Sequence, residues 1–184
     1  LNYIMLEIGQ PMHGFDQKSI QSPLVVHQQA DQTFKLLDDS MYTSLEHDVI
    51  ISDKNGSHAL AGIMGGHDSR MRPESNHLQL ESAAFKPQAI AKSLRQCRLS
   101  SEASYRYERG VSKPLCKIAL HYAANLMIQY LKAQPVNIQY IEQKSEQASV
   151  AFDANKINQR LGTKIDEQDM IEMLTRLGCS LHQN

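Results

Sequence analysis

Turn-forming residues divide the first 85 residues into short apolar segments, and this spacing limits what the chain can fold into. The segments are three or four residues long and lie at 3–6, 24–26, 33–36, 49–51 and 78–81. Segments this short are typical of strands, because helices in globular domains run over about 8–20 residues. The Asn55-Gly56 pair favours a tight hairpin turn. We therefore expect a small, largely antiparallel sheet or barrel here.

The hydrophobic pattern becomes helical after this region. Apolar residues recur at helical spacing behind Pro87, which suits a first helical turn. A longer apolar stripe begins at Pro114 and should run to about Lys132, and residues 136–141 favour one more strand. The predicted fold class is α+β, with a β-rich mixed sheet or barrel-like domain and flanking helices.

A polar stretch at 142–149, rich in Gln, Ser, Glu and Lys, is typical of a linker. We expect one domain over 1–141 and a small helical unit over 150–184. In that unit Asp153 and Asp166 should cap two short helices that end at glycines. Such a pair resembles a helix-turn-helix in outline, which would indicate nucleic-acid contact, but it is also a common packing unit, and both interpretations stay open.

Charge and composition exclude several classes of function. Nineteen Lys and Arg against 20 Asp and Glu give a net charge of -1, so no general positive field holds a polyanion. No apolar stretch approaches the roughly 20 residues that cross a bilayer. Three widely spaced cysteines fit a reducing, cytoplasmic setting. The chain begins with Leu1 and has no secretory signal, so we expect a piece of a longer polypeptide without membrane association.

Standard catalytic motifs do not occur in the sequence. The histidines form no H-x-x-x-H or H-E-x-x-H pair, and neither a G-x-S-x-G elbow nor a phosphate-binding glycine loop is present. We therefore predict no metal site. Four clusters remain, namely GQPMHGFD at 9–16, the glycine run at 61–66, Glu81, and SSEASYRYERG at 100–110.

Each cluster also has a purely structural interpretation. His13 and Asp16 can satisfy backbone groups of a turn, and the glycines can form a bulge or tight hairpin. Glu81 can be a solvated strand carboxylate. Arg106 and Arg109 can form surface ion pairs with neighbouring glutamates.

The order of the four clusters resembles the editing domain of bacterial phenylalanyl-tRNA synthetase beta subunits. GQPMHGFD, LAGIMGG, LQLESAAFKPQAIA and SSEASYRYERGV match in sequence order, and the resemblance covers nearly the whole chain. Residues 150–184 look like the start of the small helical, winged-helix-like domain that follows in that subunit. The resemblance implies tRNA(Phe) as a partner and an alpha subunit, in a heterotetramer of two alpha and two beta subunits.

The implied activity is hydrolysis of the ester of mischarged tyrosyl-tRNA(Phe). An apolar synthetic pocket rejects an added hydroxyl only about 10²-fold, so a second, hydrolytic site corrects the error. By resemblance, Glu81 is the acceptor for the tyrosine hydroxyl, and Gly65 and Ala103 line the pocket. Leu78 and Leu80 share the opposite strand face, which leaves Glu81 free to point into a cavity.

Four further assignments come from the same resemblance. Ser101 stands where many relatives have threonine, and Pro11 and His13 match the pocket wall near the scissile ester. Asn2 matches another pocket position. We expect His13 to position or activate the attacking water, assisted by Asn2 and by backbone N–H groups of the glycine run.

The resemblance also indicates which activities the chain can have in isolation. We expect no cofactor in this fragment, whereas ATP and magnesium are implied for the full synthetase, where they serve aminoacylation. With its net charge of -1 the chain should hold tRNA weakly, so weak or absent editing in isolation is expected. The alternative is a structural or tRNA-binding module of the synthetase without hydrolytic activity in isolation.

Overall fold

A computed structural model describes residues 1–135, 137–141 and 149–181. The chain forms two compact units, Leu1–Glu142 and Gln143–Asn184. The division lies within the stretch predicted as a linker, of which residues 142–148 are outside the described residues.

The strands of the first unit are β1 (Met12–Asp16), β2 (Val25–Gln28), β3 (Thr33–Lys35), β4 (Met41–Thr43), β5 (Val49–Asp53), β6 (Gly56–Leu60), β7 (Met64–Gly65) and β8 (Leu78–Ser82). They pair in the orders β2-β5-β6-β7, β1-β8 and β3-β4, and every pairing is antiparallel. The described strands do not close into a barrel. Together with the helices they confirm the predicted α+β fold class.

The helices of the first unit are α1 (Asn2–Ile8), α2 (Pro87–Cys97), α3 (Glu102–Tyr107) and α4 (Lys113–Leu131). Prolines stand in the first turns of α2 and α4, as the sequence predicts. Residues 137–141 form neither helix nor strand, so the expected strand is absent from this described part of the predicted stretch.

The prediction of a strand at residues 3–6 is wrong, because these residues lie in α1. Ile4 is 3% exposed and packs against Ala119 and Ala123 of α4. Gly9 ends the helix at a φ of 80°, and its N–H donates to the Met5 carbonyl over 3.0 Å. Packing against α4 therefore makes a helix of a segment whose length and flanking turn residues favour a strand.

The β5–β6 hairpin supplies the centre of the core. Ile50 and Leu60, which pair across it, belong to a buried cluster with Ile90 of α2 and Tyr107 of α3. Ile51 and Ala59 face a second buried cluster with Phe15 of β1 and with Ile20. The hairpin thereby packs against the elements that carry the candidate site.

The second unit contains α5 (Ala154–Leu161) and α6 (Glu167–Arg176) in its described residues. The Asp153 side chain accepts from the Lys156 N–H over 3.1 Å, and Asp166 accepts from the Gln168 N–H over 2.9 Å. Both predicted caps are confirmed. Asn158 fixes the loop between the helices, since its amide donates to the Ile165 carbonyl over 2.8 Å and accepts from the Ile165 N–H over 2.9 Å.

Candidate functional site

The candidate site begins with two strands that are distant in sequence. β1 and β8 pair so that His13 lies directly opposite Glu81. Residues that pair in this way project from the same face of a sheet. Leu80, on the other face, packs against Ile4 and α4, which confirms the predicted orientation of these strand residues. His13 and Glu81 are consequently the polar side chains of one sheet face.

This face closes a small cavity of about 70 Å³. Five of the seven predicted site residues line it, namely Pro11, His13, Gly65, Glu81 and Ala103. The remaining lining is Met12, Ile51, Ala59, Leu60, Ala61, Gly62, Ile63, Met64, Phe85 and Tyr107. Apart from His13, Glu81 and the Tyr107 hydroxyl, every lining side chain is apolar. The cavity therefore presents a few polar atoms in an otherwise water-poor surrounding.

Glu81 is the acidic group of this cavity. Removal of its carboxyl from water raises its pKa from 4.5 to about 7, because burial disfavours the charged form. Among the described residues, no donor forms a hydrogen bond with this carboxyl. The Glu81 carboxyl is thus available to a polar group that enters the cavity.

His13 is the basic group, and it is held in its neutral form. Burial lowers the pKa of its imidazole from 6.5 to about 4. The ring packs edge-on against Phe15 with a centroid separation of 4.5 Å. Its Nε2 is buried and finds no hydrogen-bond partner within the described part of the chain. A buried polar atom without a partner costs about 1–3 kcal/mol, so a ligand that bonds to Nε2 recovers a real stabilisation.

Gly65 allows His13 to occupy this position. A Cβ atom on Gly65 would lie 2.3 Å from Cε1 of His13 and 2.8 Å from its Nε2, much closer than van der Waals contact. Gly62, three residues earlier, has a φ of +70°, and a Cβ atom on it would lie about 3 Å from side-chain atoms of Ile90, Phe85 and Tyr107. The glycine run is therefore explained by close approach of side chains to its backbone and by one left-handed residue.

Tyr107 is a lining residue that the sequence reasoning missed. Its hydroxyl donates to the Pro11 carbonyl over 3.1 Å, and its ring packs against Phe85 at a centroid separation of 5.0 Å. Burial, and then the charge of Glu81, raise the pKa of its phenol well above the ordinary value. Tyr107 follows Ala103 by four residues on α3, and this spacing was the signal that both face the same cavity.

Gln10 is a second residue that was missed. It is fully buried, and its amide donates to the Pro11 carbonyl over 3.0 Å and to the Ala83 carbonyl over 2.9 Å. The Pro11 carbonyl therefore receives hydrogen bonds from Gln10 and from Tyr107. The two bonds of the Gln10 amide fix the start of β1 relative to the end of β8. Nothing in the sequence distinguishes this buried glutamine from a solvent-exposed turn residue.

Ser101 and Asn2 lie outside the cavity lining. The Ser101 hydroxyl donates to the Ile63 carbonyl over 2.9 Å and accepts from the Ser104 N–H over 3.0 Å, which caps α3. Ser101 thus ties the helix that carries Ala103 to the turn that precedes Gly65 and β7. Asn2 is exposed in the first turn of α1.

Neither a metal-binding cluster nor a membrane-spanning helix is found among the described residues. No group of three or more His, Cys, Asp or Glu side chains among them is arranged to hold a metal ion. None of the helices that the structure describes combines the length and the apolar character needed to cross a bilayer.

Comparison with known proteins gives the cavity a family context. Residues 1–132 match the family model described as B3/4 domain. The chain is also similar to proteins named phenylalanine–tRNA ligase beta subunit, with 37% identity in Nitrosococcus oceani, 36% in Cutibacterium acnes and 35% in Sodalis glossinidius. These alignments cover 98–99% of this chain but only 22–24% of each relative.

The chain spans about a quarter of the length of these curated relatives, so their names describe much longer proteins. The resemblance inferred from the four sequence clusters is nevertheless confirmed, since the matches extend over nearly the whole chain. The family match reaches from α1 to just beyond α4 and includes every residue of the cavity. Because it covers well over half of the sequence, the chain belongs to the B3/4 domain family.

Proposed function

We propose that this chain is the editing domain of a phenylalanine–tRNA ligase beta subunit and hydrolyses the ester that joins tyrosine to tRNA(Phe). The observation that carries the proposal is the pairing of His13 with Glu81 on one face of an apolar cavity. Small residues, Gly65 and Ala103, stand beside them. The alternative is a structural or tRNA-binding module without hydrolytic activity in isolation.

Glu81 accounts for the choice of tyrosine over phenylalanine. Its carboxyl lies in an apolar cavity and is free to accept a hydrogen bond from a phenolic hydroxyl. Phenylalanine leaves that carboxyl unpaired, and a site built to bond a hydroxyl can reject the analogue without it by about 10⁴–10⁵-fold. Glu81 therefore raises the affinity of the cavity for tyrosine and lowers its affinity for phenylalanine.

The cavity must widen when a tyrosine ring enters. Its volume of about 70 Å³ is roughly half of the ~150 Å³ that holds a benzene ring in an engineered protein cavity. Met12 and Met64 belong to the lining, and methionine side chains change conformation readily. Movement of these side chains supplies the space without displacing the strands.

His13 acts on the attacking water. Because its pKa is about 4, the imidazole is neutral at physiological pH and Nε2 or Nδ1 can accept a proton. The water oxygen bonds to the carbonyl carbon of the ester while His13 accepts a proton from the water. The bond from that carbon to the ribose oxygen breaks, the proton passes from His13 to the ribose oxygen, and tyrosine and tRNA are released. Asn2 takes no part in this proposal because it lies outside the lining. Unchanged deacylation of tyrosyl-tRNA by His13→Ala would contradict the role of His13.

The names of the relatives extend the proposal to partners. We infer an alpha subunit, in an assembly of two alpha and two beta chains, and tRNA(Phe) as the bound nucleic acid. ATP and magnesium belong to aminoacylation in the full enzyme, and the described residues of this chain offer no cluster for a metal ion. All three cysteines are free, in keeping with a cytoplasmic setting.

The test is Glu81→Ala in an intact ligase whose beta subunit contains this chain. Hydrolysis rates are measured for tyrosyl-tRNA(Phe) and phenylalanyl-tRNA(Phe), and the ratio of the two rates should fall towards one. Glu74→Ala, which removes an exposed carboxyl outside the cavity, is the matched control. An unchanged ratio in Glu81→Ala would favour the structural alternative.

A further inference from the structure

A second cavity, of about 310 Å³, adjoins α3 on the side away from Glu81. It lies between the end of α1 and the start of α4, and its lining includes Ile8, Tyr105, Arg106, Arg109, Val111 and Leu115. Tyr105 follows Ala103 by two residues, which is about 200° around a helix. The two cavities therefore occupy opposite faces of α3, and we call the second one the Tyr105 groove.

A stacked pair of side chains forms one wall of the Tyr105 groove. The guanidinium carbon of Arg109 lies 3.6 Å from the centroid of the Tyr105 ring. Nη1 of Arg109 also donates to the Tyr105 carbonyl over 2.8 Å, which holds the guanidinium in place. Tyr105 is 55% exposed. The structure thus presents a preformed planar, cationic surface to the solvent.

The charged side chains that line the groove are both cationic, and the glutamates that partly balance their charge lie outside the lining. Arg106 and Arg109 are its only ionisable side chains besides Tyr105, and both belong to described residues. Arg106 bonds to Glu102 over 2.7 Å and Arg109 bonds to Glu108, but neither glutamate lines the groove. These bonds use Nη1 of each arginine. The other guanidinium N–H groups are available to an anion.

We propose that the Tyr105 groove binds a nucleotide of a single-stranded RNA segment. A base stacks on the Tyr105–Arg109 pair, and Arg106 contacts a phosphate. Aromatic rings and guanidinium planes are the surfaces on which proteins stack unpaired bases, and arginine pairs well with phosphate. The apolar residues Ile8, Val111 and Leu115 contact the edge of the base and the ribose.

This inference rests on the proposed function, because it names where the unpaired end of the tRNA runs after leaving the hydrolytic cavity. A helix such as α3 is about 10–12 Å across. About three stacked nucleotides, at ~3.4 Å each, span that distance. The terminal ribose can therefore reach the Glu81 cavity while a preceding nucleotide occupies the Tyr105 groove.

The test uses the full 184-residue chain and an unacylated single-stranded RNA of about six nucleotides, within the usual range for such sites. Binding is measured by fluorescence anisotropy at low salt with protein up to millimolar concentration. Tyr105→Ala should weaken binding by about 5- to 150-fold, as expected for one stacked base. Tyr105→Phe should retain binding. Tyr130→Ala, which removes a tyrosine that is 70% exposed on α4, should leave the affinity unchanged.

Arg106 tests the phosphate contact separately. Arg106→Ala should lower the slope of the logarithm of affinity against the logarithm of salt concentration by about one. Arg95→Ala, which removes an exposed arginine of α2, should not change it. The proposal is overturned if the unmodified chain does not bind the single-stranded RNA. It is also overturned if Tyr105→Ala and Tyr130→Ala lose the same amount of RNA affinity, or if the unmodified chain binds duplex RNA of the same length as tightly as the single strand.

The outcome is separable from that of the proposed function. Glu81→Ala removes the tyrosine hydroxyl acceptor on the opposite face of α3 and should leave the affinity for unacylated RNA unchanged. RNA binding in the groove without any hydrolysis of tyrosyl-tRNA by the intact ligase would contradict the proposed function alone. Hydrolysis that persists at the unmodified rate in Tyr105→Ala, together with unchanged RNA affinity, would contradict the groove alone.

Discussion

At the scale of single residues, His13 and Glu81 show how an apolar cavity changes ordinary side chains. Burial lowers the pKa of the histidine to about 4 and raises that of the glutamic acid to about 7. In each case the charged form is the one that is disfavoured. At neutral pH the pair therefore consists of an uncharged imidazole and a carboxyl close to its midpoint, rather than a fixed ion pair.

Glu81→Gln should remove a pH-dependent contribution to stability. The pKa of Glu81 is about 7 in the folded chain against a reference value of 4.5. The folded state binds more protons than the unfolded state between these values, so the contribution is complete below pH 4.5 and is lost as the pH rises through 7. From about pH 5.5 to about pH 8 the loss is at most about 2 kcal/mol. Although burial shields the carboxyl, Glu81 as a whole residue is only half-buried, and screening by the solvent reduces the loss further.

Urea unfolding of the unmodified chain and of Glu81→Gln, each at about pH 5.5 and at about pH 8, measures this loss of stability. His13 titrates in the opposite sense, because its lowered pKa destabilises the folded state in acid. Both proteins carry His13, so the difference between their free energies of unfolding isolates Glu81. That difference should change in favour of Glu81→Gln as the pH rises, and a difference independent of pH would show that Glu81 is not desolvated.

Gly65→Ala should destabilise the chain through His13. The new methyl group would lie 2.3 Å from the imidazole, and overpacking of this kind costs about 1–3 kcal/mol. In a His13→Ala background the cost should shrink, with a coupling of about 1 kcal/mol or more. Urea unfolding of the four proteins gives this coupling. The control measures the destabilisation by Gly65→Ala in a chain that carries His77→Ala, which removes an exposed histidine. If Gly65→Ala destabilises the His13→Ala and His77→Ala chains equally, the contact between residue 65 and His13 is disproved.

At the scale of elements, the sequence predicts those parts of the fold whose signals are local. Prolines and helical spacing locate α2 and α4, and aspartates and glycines locate the ends of α5 and α6. α1 was predicted as a strand because its helical state depends on burial of Ile4 against α4. A contact between residues more than 100 positions apart leaves no local pattern, and tertiary packing overrides local preference.

The same distinction applies to the candidate site. The family resemblance carried by the four sequence clusters assigned His13, Gly65, Glu81 and Ala103 to the site, and all of them line the cavity. Tyr107 and Gln10 were missed because both act through the Pro11 carbonyl, and the bond from Tyr107 joins α3 to the residue before β1. Hydrogen bonds to a distant backbone atom depend on the fold. The sequence alone therefore predicts the residues that line the cavity more readily than the residues whose hydrogen bonds hold that lining in place.

Ser101→Ala should destabilise the junction between α3 and the glycine run. It removes the helix cap and leaves the Ile63 carbonyl without its donor, at a combined cost of about 1–3 kcal/mol. Ser101→Thr keeps the hydroxyl and should stay close to the unmodified chain. Ser100→Ala changes an exposed neighbour and is the second control. Urea unfolding checks the prediction, which fails if Ser101→Ala and Ser100→Ala are equally stable.

At the scale of the whole molecule, charge limits what the chain does alone. A net charge of -1 provides little general attraction for tRNA, since phosphate contacts dominate the affinity of most proteins for nucleic acids. Two arginines, Arg106 and Arg109, line the Tyr105 groove on the other face of α3. On the proposed function, such a net charge suits a site that acts on one end of an RNA held mainly by other contacts.

The isolated chain should consequently deacylate tyrosyl-tRNA(Phe) much more slowly than an intact ligase that contains it. The two rates are compared at equal concentrations of sites, at low and at moderate salt. At tRNA concentrations below saturation, salt should reduce the rate of the intact ligase more steeply than that of the isolated chain, because the salt dependence grows with the number of phosphate contacts and the isolated chain makes few of them. A rate that matches the intact ligase would show that the chain binds tRNA without help.

The pairing of β1 with β8 also decides when the site exists during folding. All of β2–β7 lie between these two strands in sequence, so His13 and Glu81 meet only after the longest loop among the sheets has closed. Closure of such a loop is entropically costly, whereas the β5–β6 hairpin needs only a short turn. We expect the core hairpin to form early and the cavity of the proposed hydrolytic site to appear with the last strand pair. A chain interrupted before β8 would carry His13 but no cavity around it.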